Sequence, residues 1–216
     1  PITSLRKEMK AGATVQPMIA SVNDGAAEVL LDLGAALNRS GGEDFVRLYL
    51  EYALVLAPKS DALLLQLGVV ADQQKNTEEA IGFFKRISPD SPMKHVAEMQ
   101  IGLDLADIGR NDEAIEHLKT VLAQDPGDMK AYLALGGVYS AKEDYRAAAD
   151  LFDKAVGRIS NPTADDWTIF YRRGIAYERL KEWPKAESDF KEALKLSPDQ
   201  PQVLNYLGYS WVDMNT

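Results

Sequence analysis

Glycine recurs at Gly34, Gly68, Gly102 and Gly136, each 34 residues after the last, then at Gly174 after 38 and at Gly208 after a further 34. A period of this length constrains a chain more than any local propensity, because it divides the sequence into like units that bury their apolar faces on one another. Within each unit the apolar residues fall three and four apart, the stripe of an amphipathic helix, and the stripe restarts after a polar break. Two helices per unit follow. The breaks at 39–42, 75–77, 109–111 and 142–144 are short enough to make each pair antiparallel, and Asn76 with Glu79 has the spacing of a capping box. Pro58, Pro92, Pro126 and Pro198 end second helices, since proline lacks an N–H and fixes φ.

A glycine inside a helix costs about 1 kcal/mol relative to alanine, so its recurrence in one place calls for a compensating close approach of two helices. Ala53, Ala80, Ala114, Ala148, Ala155, Ala186 and Ala193 supply small side chains on the second helices. By their helical spacing Phe84, Tyr139, Phe152, Tyr177 and Phe190 are core residues.

The segment 170–198 carries Phe170, Gly174, Tyr177, Ala186, Phe190, Ala193 and Pro198, and other units repeat this frame. One has Tyr132, Leu135, Gly136, Tyr139, Ala148 and Phe152; another has Leu64, Leu67, Gly68, Ala80, Phe84 and Pro92. The pattern resembles the tetratricopeptide repeat (TPR) signature over residues 26–216. It departs at Glu98, in place of the first large residue, at Ala71 and Leu105, in place of tyrosine, and at Val46, in place of a small residue. The resemblance implies an all-α fold, a right-handed TPR superhelix of antiparallel helix pairs, with units at about 27–60, 61–94, 95–128, 129–166 and 167–200 and the first helix of a sixth at 201–216.

Residues 1–25 fall outside this register and are expected to be the remnant of a preceding repeat, with a tail lying in the groove as the alternative. At the other end Val203, Leu204, Leu207 and Trp211 form the apolar face of a first helix without a second. A capping repeat is polar outside, so the pattern predicts a chain that continues, or an open face that self-associates. Four extra residues lengthen the connection at 157–166, where Pro162 prevents a helical extension.

Composition narrows the function. With 33 acidic and 24 basic residues the formal charge is −9, and no basic stripe is concentrated anywhere, which disfavours nucleic acid. Cysteine is absent, which removes disulfides and thiolate chemistry but does not identify the compartment. The longest apolar stretch, residues 62–71, is about half a membrane span, so a soluble chain is expected. The two histidines, His95 and His117, fall on different helices of one unit and are expected between helices or at the surface. No phosphate loop, metalloprotease motif or nucleophile elbow occurs. The reading is therefore a binding protein without cofactor, metal or catalytic residues.

In the family that this pattern resembles, the first helix of each unit lines the concave face. Carried onto this register, the groove candidates are Leu31, Leu65, Val69, Met99, Leu103, Leu133, Tyr171, Ile175, Asn205 and Tyr209, with Arg39, Asp72, Asp107, Lys130 and Arg179 on the rim. The stripe is largely apolar and the rim mixed in sign, which predicts a protein or peptide partner held through apolar side chains. Places where some TPR domains put Lys and Asn to grip a terminal carboxylate hold Leu, Met, Val and Tyr here. The alternative reading is a structural module that packs on the rest of its own chain or on a second copy. Residues 199–213 resemble a segment of long multi-TPR proteins of bacterial envelopes, which implies a periplasmic or envelope location, with the cytoplasm as the alternative.

Overall fold

A computed structural model describes residues 21–39 and 43–214, and within these the side chains at 35, 37–39, 43, 44, 209, 210 and 212–214 lie outside the description. The described residues form helices without strands: α1 (Val22–Arg39), α2 (Glu43–Leu56), α3 (Asp61–Gln73), α4 (Thr77–Lys85), α5 (Lys94–Asp107), α6 (Asn111–Gln124), α7 (Met129–Ala141), α8 (Tyr145–Val156), α9 (Trp167–Arg179), α10 (Trp183–Leu196) and α11 (Pro201–Met214). They belong to two compact units, Pro1–Met93 and Lys94–Thr216. In each, helices next to one another in the chain pack as antiparallel pairs, the arrangement of a TPR solenoid.

The first helices α3, α5, α7 and α9 end alike. In α3 Asn76 N–H reaches back to the Ala71 carbonyl at 2.9 Å and Lys75 takes a left-handed φ of 62°. Glu143 and Lys181 repeat this at φ 60° and 61°, and Gly109 takes the same place after α5 at φ 78°. This reversal lets the chain turn in three residues. It also explains why Asn76 and Glu79 do not form the capping box their spacing suggested. Asn76 makes no side-chain cap, and the Glu79 carboxylate is taken by Arg47 of α2 at 2.8 and 2.6 Å. Side-chain caps appear at other helix starts: Ser60 accepts from Leu63 N–H, Asp128 from the N–H groups of Lys130 and Ala131, and Asp144 from Ala147 N–H.

In the first unit Val46, Leu50 and Ala53 of α2 bury against Leu63, Leu67 and Val70 of α3. In the second, Phe152 of α8, Phe170 and Tyr177 of α9, Phe190 of α10, and Val203 and Leu207 of α11 share one core. Each large side chain fully withdrawn from water contributes about 1.5–3 kcal/mol. The glycines serve the expected close approach in the middle of the array. A Cβ on Gly102 would stand 2.6 Å from Leu118, and one on Gly174 2.6 Å from Phe190. The explanation fails at both ends of the series. Beside Gly34 the nearest atom, on Leu50, is at an ordinary 3.6 Å, because Val46 replaces the small residue that lets the other pairs close, and beside Gly208 nothing lies within 4 Å.

One boundary differs from the sequence reading. Helix α1 starts at Val22, so residues 22–25, read as flank, are its first turn. The lengthened connection holds a single 3₁₀ turn, Ala164–Asp166, closed by a capping box in which the Asp166 carboxylate accepts from the N–H and hydroxyl of Thr163. Residues 1–20, and with them most of the expected repeat remnant, lie outside the described residues.

Candidate functional site

The first helices α1 and α3 carry the candidate contacts of the first unit. Leu31 and Leu65 are half-buried, Leu31 against the α2–α3 core, whereas Val69 is 38% exposed. A cleft of about 250 Å³ opens beside them, lined by Glu28 and Leu31 of α1, Ser60 at the start of α3, and Ala62 and Leu63. Asp24, Ala27 and Ala57 complete its lining. Asp72 is half-buried; Arg39 lies beyond the described side chains.

In the second unit the first helices α5, α7, α9 and α11 neighbour one another in order. Leu103 is 38% exposed and Met99 half-buried, and on the same side of α5 stands Val96 at 54%. Val96 is three residues before Met99 and seven before Leu103, so the three share one helical face. The sequence reading omitted it because it took only the two positions flanking each glycine, although the helical period already pointed to it. Leu133 and Ile175 are half-buried against the core, Asn205 is exposed, and Asp107, Lys130 and Arg179 stand exposed on the rim. Tyr209 lies outside the described side chains.

Tyr171 has a different first use from the one expected. Its ring packs edge-on to Tyr206 with centroids 5.8 Å apart, with Trp167 at 5.8 Å and Phe190 at 6.3 Å. Burial raises its phenol pKa. The sequence did not show this, because Tyr206 belongs to the next unit and lies off the glycine-flanking positions.

Three polar clusters lie between helices. Buried Glu98 pairs with Lys94 at 2.9 Å and with His117 of α6; burial raises its pKa, but the two hydrogen bonds outweigh that and hold it low. His95 meets the Asp128 carboxylate at 3.0 Å. Arg173 of α9 joins Asp189 of α10 and Asp153 of α8, and Tyr177 donates its hydroxyl to Asp153 at 2.8 Å. Burial and the Asp153 bond keep the Tyr177 phenol protonated far above its ordinary range. Each cluster is closed on itself by its own pairs. Among the described residues no group of three or more His, Cys, Asp or Glu side chains is placed to hold a metal ion, and no helix is long and apolar enough to cross a membrane.

A tetratricopeptide repeat family model matches residues 99–165, and another matches 167–200. The chain belongs to the TPR superfamily. Human protein O-mannosyl-transferase TMTC1 is 23% identical over 179 residues, 83% of this chain and 20% of that protein, so the chain spans about a fifth of this relative's length. Among solved structures, MamA superposes with a TM-score of 0.71 at 21% identity, covering 82% of this chain and 94% of that one. YrrB, described as a TPR protein with an unusual peptide-binding site, gives 0.68 at 16% identity, covering 86% and 97%. Likeness at such identity speaks for the fold.

Proposed function

We propose that this TPR chain is a protein-interaction scaffold that seats a polypeptide segment on its first helices through apolar contacts, and that it carries out no catalysis of its own. The supporting observation is the exposed face Val96, Met99, Leu103 on α5. A water-facing apolar stripe on a helix that already has a buried face calls for a ligand. The peptide-binding description of YrrB is consistent with this reading. The mixed rim of Asp107, Lys130 and Arg179 would set the direction of the bound segment by pairing, with little affinity from each exposed charge.

The test is selection of random peptides displayed on phage against the full chain. Enriched peptides should carry spaced apolar residues, and Val96→Glu combined with Leu103→Glu should weaken them at least about tenfold, a loss of roughly 1.4 kcal/mol, with helicity unchanged. Both sites are exposed enough to accept a charge without unfolding, which half-buried Leu65 is not. Undiminished binding by the double variant would sink the groove reading.

Self-association is the second reading, favoured by the exposure of Leu204 and Trp211 on α11. Sedimentation of the chain with Leu204→Lys and Trp211→Lys distinguishes it: a dimer of the parent that these changes dissolve supports it.

A further inference from the structure

Gly136 and Gly137 stand together in α7, and only the first has a packing reason. A Cβ on Gly136 would press into the Phe152 ring, whereas one on Gly137 would meet nothing within 4 Å. Nor does Gly137 take the left-handed φ that calls for glycine. Glycine inside a helix destabilises it relative to alanine, so the missing side chain brings the fold itself no gain. Gly82 of α4 is as open, but it lies on a second helix, away from the candidate face.

The register shows what flanks Gly137. At the same place, one residue after the register glycine, α5 carries Leu103 and α9 carries Ile175. Helix α7 lies between these two helices, so the row of side chains has a gap beside the exposed face Val96, Met99, Leu103. A backbone approaches a helix most closely where no Cβ intervenes.

Charge is uneven around this gap. Lys130 of α7 and Arg172 of α9 are exposed, and neither enters an ion pair among the described residues, on a chain whose formal charge is −9. Burial raises the pKa of Tyr171, and the charge of neighbouring Arg172 works against that rise, which places the guanidinium by the candidate face. Asp107, exposed at the C-terminal end of α5, has the opposite sign. Carboxylates are therefore favoured on the α7 and α9 side. Exposed charges add little affinity each, but they select the sign of what binds.

We propose that Gly137 is the crossing point of the bound polypeptide. The segment's backbone passes over α7 there, with apolar side chains on Val96, Met99 and Leu103 and acidic side chains toward Lys130 and Arg172. This rests on the reading of the first helices as a peptide seat and adds the chemical class, an acidic segment with spaced apolar residues.

The test uses the full chain. Random peptides displayed on phage are selected against the parent and against Lys130→Glu with Arg172→Glu, and the most enriched parent peptide is synthesised for titration. Asp and Glu should be enriched beside the apolar residues on the parent, and Lys and Arg in their place on the charge-reversed variant, which should bind the synthetic peptide at least about tenfold more weakly. Gly137→Ala should raise the thermal midpoint and weaken the peptide about threefold; Gly137→Leu, the side chain that α5 has at this place, should weaken it at least about tenfold without lowering the midpoint. Undiminished binding by both Gly137 variants, a lowered midpoint in Gly137→Ala, or enriched peptides without Asp and Glu overturns the proposal. Each of these leaves the peptide seat standing when Val96→Glu with Leu103→Glu still weakens binding. If that variant binds undiminished, or no peptide is enriched, the seat is lost and the crossing point with it.

Discussion

Arg173 donates to Asp189 from two nitrogens, Nε at 2.8 Å and Nη2 at 2.6 Å, and the aspartate is buried between α9 and α10. Burial drives the Asp189 pKa up, against the pull of the guanidinium. Arg173 occupies the place, one before the glycine, that Leu67, Ile101, Leu135 and Leu207 fill elsewhere. The ion pair therefore stands where an apolar contact would serve. Removing one partner leaves a buried charge, so Asp189→Asn should cost about 3–5 kcal/mol in urea unfolding. Replacing both, as Arg173→Leu with Asp189→Leu, should fall within about 1 kcal/mol of the parent or above it. A double variant as weak as the single would mean that the pair is worth more than its apolar substitute.

The left-handed residues give a second set of changes. A side chain at positive φ costs about 1–2 kcal/mol, and glycine returns about 0.5–1 of that through its freer unfolded chain. Glu143→Gly and Lys181→Gly should each raise stability by about 0.5–1 kcal/mol, whereas Gly109→Ala, at φ 78°, should lower it by about 1. Thermal unfolding of the three single variants would show the opposite signs. Equal signs would rule out backbone strain as the cause.

These examples show where reading the sequence succeeds. The period, the two-helix unit, and cores such as Phe152 and Phe190 follow from spacing alone, because a helix repeats every 3.6 residues whatever its neighbours do. Partners on other helices do not. Glu98 reads as a broken repeat until His117, 19 residues on, is seen beside it, and Glu79 reads as a cap until Arg47, 32 residues back, takes its carboxylate. The candidate face was legible in part for the same reason: the places of Met99 and Leu103 on their helix follow from the register, but the packing of Tyr171 against Tyr206 joins first helices of successive repeats.

Acid should expose two of these pairs. Arg47 lowers the pKa of Glu79 against a smaller effect of burial; at Glu98 burial pushes up and is outweighed by His117 and Lys94. Both carboxylates thus hold protons less tightly folded than at their ordinary 4.5. Their stabilisation is complete above that value and is lost as pH falls through the lower folded values. The urea midpoint should be nearly flat from about pH 7 to pH 5 and drop below about 4.5. Glu98→Gln should lower the plateau and flatten the drop. A parallel curve for that variant would mean that another group carries the acid response.

Glycine placement allows the sharpest comparison, because one register position meets two surroundings. At Gly174 a Cβ would press on Phe190 Cε1 at 2.6 Å and Cδ1 at 2.8 Å, and Phe190 is fully buried among Phe152, Ala186 and Ala193, with no room to yield. Overpacking of this kind costs about 1–3 kcal/mol, more than the roughly 1 kcal/mol that alanine gains over glycine inside a helix. At Gly208 there is nothing to press on, so only the gain remains. Gly174→Ala should therefore lower the midpoint of unfolding and Gly208→Ala should leave it or raise it, measured side by side in the full chain. If Gly208→Ala also destabilises, some group covers the outer face of α11 in solution, and the sedimentation of that variant against the parent would show whether the cover is a second copy.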